Sequence, residues 1–117
     1  MNNIGHHLFY EISRWADKTF GKKRSNRTIL LHLEEEVNEL AIAVDNCEKN
    51  FDTKVAMVQE MADVQILLWN LAARNGVCYD SFMDMCMAKH QVNENRKWVM
   101  IDGKMKHIPD NFNIVEP

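Results

Sequence analysis

Glu36 and Glu39 stand three residues apart in LHLEEEVNEL, and Glu60 and Asp63 repeat that spacing in VQEMADVQILLWNL. Positions i and i+3 of an α-helix share a face, so each pair can aim two carboxylates at one point. If the two helices pack together, four hard oxygen ligands converge. Oxygen donors of this kind, with no histidine or thiolate among them, favour Mg²⁺ or Mn²⁺ over zinc. Such an ion polarises phosphoryl oxygens and makes a bound water more nucleophilic, so the expected chemistry is that of phosphates. A solvated acidic face is the plain alternative for the run Glu34, Glu35, Glu36 and Glu39. It explains the second pair less well, because Glu60 and Asp63 interrupt a hydrophobic helix where an unpaired buried carboxylate is costly.

Other side chains fit the same chemistry. Lys89, Asn93 and Arg96 fall on one face of a last helix, with Lys97 at its edge, and could hold phosphate oxygens. A solvated helix end, where positive charge suits the macrodipole, accounts for them equally. The loop Lys22-Lys23-Arg24 could cover a polyphosphate or simply be a mobile surface loop. Trp15 and Phe20 border that loop and could stack on a base, although Trp15 also fits a core stripe and its inner edge is expected to pack there. His32, one turn before Glu36, could touch a substrate or orient the carboxylate. Trp69 is expected in the core, and His6 and His7 at the surface. Cys47, Cys78 and Cys86 have no histidine base by spacing and read as packing residues.

The elements that must position these groups are helical. The first helix is predicted from about Asn3 to Lys18, with Ile4, Leu8, Ile12 and Trp15 at helical spacing. Phe20 to Arg27 is polar and glycine-containing, hence a loop. The second helix runs from about Thr28 to Glu48, with Ile29, Leu33, Val37, Leu40 and Val44 as its apolar stripe. The third begins after Asp52 or Thr53 and stops at Asn75-Gly76, a left-handed C-terminal signal. It is apolar nearly all round and so expected to be buried on more than one side. Its polar residues Gln59, Glu60, Asp63, Asn70 and Arg74 collect mainly in one seam. The fourth is predicted from Ser81, as an imperfect capping box with Asp84, to about Lys97. WVMI-DG-KMKHI then alternates around Asp102-Gly103, as a small hairpin or an ordered loop.

Length and composition bound the rest. At 117 residues the chain is expected to be one domain spanning 1–117. A net charge of −3 argues against general nucleic-acid binding. The start MNNIGHHLFYEIS lacks the pattern of a secretory signal, and no run is long enough to span a membrane. Three cysteines without CxxC spacing fit free thiols in a reducing cytoplasm, where the protein is expected.

Glu35-Glu36-Val37-Asn38-Glu39 followed by Glu60-Met61-Ala62-Asp63 resembles the EExxE…ExxD signature of the MazG-like, all-α nucleoside triphosphate pyrophosphatases. Trp15 with Thr19-Phe20-Gly21, then His32-Leu33, resemble the dATP/dGTP diphosphohydrolase branch, which includes phage MazZ-like enzymes. So does Lys89-x-x-x-Asn93-x-x-Arg96-x-Trp98 with Asp102-Gly103. The resemblance covers roughly residues 8 to 108. It implies a four-helix bundle assembled as a homodimer or homotetramer, with Mg²⁺ or Mn²⁺ held by Glu36, Glu39, Glu60 and Asp63. Glu35 would be an added ligand or a base for the attacking water, alongside Glu36. It departs from the branch, which often carries lysine there. The implied reaction splits a purine deoxynucleoside triphosphate, dGTP or dATP, into the monophosphate and pyrophosphate. Lys89 and Arg96 would stabilise charge on the triphosphate, Asn93 and the Trp15–Phe20 region would meet sugar and base, and His32 and Lys97 would also contact substrate. Some phage members favour dGTP, lowering it in hosts whose viral genomes use a modified adenine. A di-iron carboxylate bundle would need Glu-x-x-His pairs, which are absent. The standing rival is a non-catalytic helical module for regulation or partner binding.

Overall fold

Seventeen residues pass from Asn3 before the first glycine that could end a helix in the left-handed region, and α1 (Ile4–Phe20) fills that interval up to Gly21 at φ 89°. The computed structural model describes residues 3–109. After α1 come α2 (Asn26–Lys49), a single 3₁₀ turn (Phe51–Thr53), α3 (Lys54–Arg74) and α4 (Tyr79–Glu94). Strands β1 (Lys97–Ile101) and β2 (Lys104–Ile108) close the order as an antiparallel pair. The fold class is therefore all-α, four helices with a short hairpin near the C-terminus. No helix among the described residues is long and apolar enough to cross a membrane. The chain forms two compact units, one ending at Phe82 and the other beginning at Met83.

In the first unit α1 and α2 both pack on α3. Local chemistry sets the ends of these helices. Ser25 caps α2 by accepting from the Thr28 N–H at 3.1 Å. Asn50 ends α2 and starts the 3₁₀ turn, its Oδ1 accepting from the Asp52 N–H at 3.0 Å. At the far end of α3, Gly76 takes φ 75°, the Val77 N–H donates to Ala72 O at 3.0 Å, and the Gly76 N–H donates to Ala73 O at 3.1 Å. That is the Schellman arrangement that Asn75-Gly76 predicts. Asn26 and Asn75 then exchange side-chain hydrogen bonds of 3.0 Å each, joining the start of α2 to the end of α3 and making the helices antiparallel.

The buried set is Phe9, Ile12 and Ala16 from α1, Ile29 from α2, and Leu67, Asn70 and Ala72 from α3. Phe9, Trp69 and Tyr79 meet edge to face, with ring centroids 5.9–6.2 Å apart. This cluster turns α1 relative to the expected stripe: Phe9, Ile12 and Ala16 face α3, while Ile4, Leu8 and Trp15 are exposed. His6 is not simply a surface residue, since its Nε2 lies 2.7 Å from the Asp80 carboxylate and its ring stacks beside Tyr79. The burial expected all round α3 holds only for its C-terminal half. Val55, Val58 and Met61 in the N-terminal half remain exposed, because no element of the first unit covers that side.

α4 begins two residues earlier than Ser81, with the Cys78 carbonyl accepting from the Phe82 N–H at 3.0 Å. It also stops earlier than expected. The Asn95 and Arg96 N–H groups turn back to Val92 O and Asn93 O, and the Trp98 Nε1–H donates to that same Asn93 carbonyl at 2.9 Å. A further α-turn would need this carbonyl for the Lys97 N–H. Arg96 thus lies beyond the helix and Lys97 opens β1, so neither shares a helical face with Lys89 and Asn93. The hairpin turn takes Asp102 at φ 51° and Gly103 at φ 76°, the two positive angles of a type I′ connection.

Gly5 offers a test of the α1 packing. Replacing a helical glycine by alanine ordinarily stabilises by about 1 kcal/mol. Here a Cβ would run into the Tyr79 hydroxyl and ring. Gly5→Ala should therefore lower the urea midpoint, and pairing it with Tyr79→Leu should restore the usual gain. A midpoint raised by the single substitution would contradict this packing.

Candidate active site

The antiparallel pairing of α2 and α3 brings the two acidic pairs together. One carboxylate oxygen each from Glu36, Glu60 and Asp63 lies within 4.8 Å of the others. Glu39 lies close enough to Glu36 and Glu60 to raise the pKa of each. Glu36 Oε1 receives the His32 Nε2 at 3.3 Å, which leaves Oε2 for the interior of the cluster. The Oε2 atoms of Glu36 and Glu60 are both shut off from solvent with no hydrogen-bond donor. No lysine or arginine among the described residues forms an ion pair with any of the four carboxylates.

Burial therefore pushes the Glu36 carboxyl above its usual range, and Glu39 and Asp63 add to the rise while His32 opposes it. Glu60 is raised by the same causes: burial first, then the charges of Glu39 and Asp63, then its hydrogen bond with Glu39. Two sealed, unpartnered carboxylate oxygens beside a third acid make a donor set that fits a divalent cation. Oxygen ligands, incomplete coordination by protein and an open side match the preference of Mg²⁺ or Mn²⁺.

The carboxylates divide two hollows. On one side Glu36 and Asp63 border a cavity of about 270 Å³, walled by Ile12, Trp15, Phe20, His32, Leu67 and Asn70 among others. On the other, Glu39 and Glu60 border a hollow of about 330 Å³ with Asn46 and Thr53. Trp15 stands edge-on to Phe20 with centroids 5.2 Å apart, and the residue is 57% exposed. The expected core packing of Trp15 is thus replaced by a place in the cavity wall. The Arg24 guanidinium lies 4.8 Å over the Phe20 ring. Burial lowers its pKa, neighbouring Arg74 lowers it further, and Asp17 opposes both. Arg74 itself donates to the Lys22 carbonyl, so the basic loop is tied to the end of α3.

The other expected site residues are Glu35 in the first unit and Lys89, Asn93, Arg96 and Lys97 in the second. Glu35 is exposed, outside the converging carboxylates, and borders a shallow depression with Leu31, Glu34 and Asn38 that meets the cavity wall at His32. Lys89, Asn93, Arg96 and Lys97 belong to the second compact unit, where Arg96 Nη1 approaches Asn93 Oδ1 at 3.5 Å. Sequence reasoning names Asn70 in the polar seam of α3 and Arg24 in the basic loop, without giving either its place beside Phe20 and the cavity. Asn70 had a readable signal, a lone amide in an apolar run two helical turns beyond Asp63. Arg24 had only its loop charge, because its stacking on Phe20 depends on the tertiary turn.

Neither the curated proteins nor the solved structures give a match. A family model does: that of dATP/dGTP pyrophosphohydrolase, over residues 8–113, one continuous match across both compact units. The family's activity displaces the non-catalytic module as a reading of this fold. On that match, with the paired carboxylates of α2 and α3 beside an aromatic cavity, the chain belongs to the dATP/dGTP pyrophosphohydrolases, enzymes of the nucleoside triphosphate diphosphatase class.

Proposed function

We propose that the chain hydrolyses dATP and dGTP to the monophosphate and pyrophosphate with a Mg²⁺ or Mn²⁺ ion held by Glu36, Glu60 and Asp63, assisted by Glu39. The observation that carries this is the convergence of three carboxylate oxygens within 4.8 Å, two of the contributing residues each having a sealed oxygen without a donor. A bound divalent ion supplies Lewis-acid polarisation of phosphoryl oxygens and a more acidic water. The chain's own groups do the rest. His32 holds Glu36 by one oxygen and keeps the other turned inward. Glu39 sits beside Glu36 and Glu60 and raises the pKa of both. Glu36 is better placed than Glu35 to accept a proton from the attacking water, since Glu35 borders the shallow depression outside the converging carboxylates. Trp15 and Phe20 offer a π-surface for the base. Lys89, Arg96 and Lys97 keep their assignment to the triphosphate, and Asn93 to the sugar, on charge and resemblance alone.

A homo-oligomer is part of the same reading. Met83, Met85, Met87 and Val92 on α4 and Val55, Val58 and Met61 on α3 are all exposed. Large exposed apolar side chains on each unit are the kind of surface a subunit interface covers. Light scattering should give a dimer or tetramer mass, and a monomer at micromolar concentration would remove this element of the proposal.

Substitution tests the chemistry. Glu60→Gln and Asp63→Asn should each reduce pyrophosphate release from dATP by more than the roughly 10–100-fold typical of changes one shell outside a metal. Their metal-free thermal stability should stay level or rise, since each removes a like charge from the cluster. Near-normal turnover in either variant would sink the assignment.

The raised carboxyls also set a pH signature. A folded pKa above the unfolded value means that the folded state binds more protons, so stability falls as pH rises through the raised value. Without metal, Glu36 and Glu60 therefore favour folding at about pH 5 over pH 8. Protons and metal compete for the same oxygens. Mg²⁺ or Mn²⁺ should thus raise the melting temperature more at pH 8 than at pH 5. Equal shifts at both, or none, would argue against a carboxylate metal site.

A further inference from the structure

The cavity beside the carboxylates contains a polar side chain that hydrolysis does not use. Asn70 is only 4% exposed and forms part of the cavity wall with Trp15, Phe20 and Asp63. Its carboxamide makes no hydrogen bond among the described residues, yet neither amide atom is sealed in protein. It is thus turned to the cavity. Buried amides are ordinarily partnered. The contrast with Asn26 and Asn75 is direct, since those two carboxamides hold one another by reciprocal hydrogen bonds.

We propose that Asn70 is the specificity-determining residue for the purine, reading the 6-substituent and N1 of both dATP and dGTP with a carboxamide free to turn over. This rests on the carboxylate cluster being the hydrolytic site. Position and chemistry both point there. Asn70 follows Asp63 by seven residues on α3, so the two share a face about 10.5 Å apart along the axis. That spacing is comparable to the reach from the 5′ phosphorus of a nucleotide to the far edge of its purine. Between them Ile66, Leu67, Ile12 and Ala16 line an apolar slot, with Trp15 and Phe20 as the stacking wall.

Adenine presents a donor at N6 and an acceptor at N1. Guanine presents the mirror image, an acceptor at O6 and a donor at N1. A carboxamide carries one acceptor and one donor group and, when rotated by half a turn, exchanges them. An asparagine pinned by neighbours would select one base, whereas an unpinned one serves both. Cytosine and thymine carry the same two patterns, but their single ring falls short of Asn70 when the phosphate sits at the carboxylates.

The test is calorimetric binding of α,β-methylene triphosphates in the presence of Mn²⁺, using the wild-type chain, Asn70→Leu and Asn70→Asp. Wild type should bind the dATP, dGTP and deoxyinosine analogues within about threefold of one another, and the analogue lacking a 6-substituent roughly tenfold more weakly. Asn70→Leu should erase that difference. Asn70→Asp, an acceptor on both oxygens, should favour the dGTP analogue by roughly tenfold, because N1–H and the 2-amino group both donate to it. If the 6-unsubstituted purine binds wild type as tightly as dATP, or is still rejected by Asn70→Leu, the assignment falls. The first comparison needs no variant, so it decides the matter even if a substitution prevents folding. Pyrophosphate release by wild type and Glu60→Gln is measured alongside. Normal hydrolysis with a flat binding panel removes the role of Asn70 alone, whereas the binding pattern with unimpaired Glu60→Gln turnover removes the hydrolytic assignment instead.

Discussion

Holding four carboxylates against one another between two helices is the constraint to which the rest of this structure answers. Glu36, Glu39, Glu60 and Asp63 repel, and burial of the Glu36 and Glu60 oxygens deprives them of the water that would screen the repulsion. No arginine or lysine among the described residues neutralises them. The helices must therefore be held together by groups away from the acids. One such device is the reciprocal Asn26–Asn75 pair. From Asn26, ten residues along α2 reach Glu36, and from Asn75, twelve residues back along α3 reach Asp63. At a common rise of about 1.5 Å per residue these arrive level to within about 3 Å. The Schellman end at Gly76 and the Ser25 cap fix where each helix begins that count.

α3 is accordingly divided along its length. Its C-terminal half carries Leu67, Asn70 and Ala72, all buried, and Trp69 within the aromatic cluster around Phe9 and Tyr79. Its N-terminal half carries Glu60 and Asp63 and leaves Val55, Val58 and Met61 uncovered. Packing thus concentrates at one end and charge at the other. An apolar circumference read from sequence has two causes here, core on one stretch and unpartnered surface on the next.

Much of this was legible from residue spacing. The i, i+3 acids, the four helices, the Asp-Gly hairpin and the Asn75-Gly76 stop all depend on interactions within a few residues, which local pattern reports directly. What escaped depends on distant partners. Trp15 reads as a stacking candidate with its inner edge in the core through its spacing with Ile12; the Phe9 ring meeting Trp69 and Tyr79 rotates α1 enough to put Trp15 in the cavity wall instead of the core. The end of α4 escaped for a similar reason. Residues Asn95 to Lys97 have ordinary helical propensity, but the Trp98 indole takes the Asn93 carbonyl, and no propensity scale registers that bond. The helical wheel already separates Glu36, flanking the apolar stripe of α2, from Glu35, nearly opposite it, and packing on α3 puts Glu36 in the cluster and leaves Glu35 outside.

A helix that carries both the acids and the cavity amide also constrains how substrate choice can evolve. Asp63 and Asn70 are joined by two turns of hydrogen-bonded backbone rather than by a loop, and groups on rigid elements hold their geometry more closely than groups on loops. The distance between phosphate and base subsites is then fixed by helical rise. With the proposed reading of Asn70, length discrimination, purine against pyrimidine, would follow from that spacing and from the Trp15–Phe20 wall without further contacts. Discrimination between the two purines falls to whatever restrains one carboxamide. A neighbour able to donate to the Asn70 oxygen, placed for example at Ile66 or Leu67, would lock its orientation and narrow the enzyme to a single base while leaving the carboxylates untouched. Breadth of specificity in this architecture thus depends on a hydrogen bond left unmade.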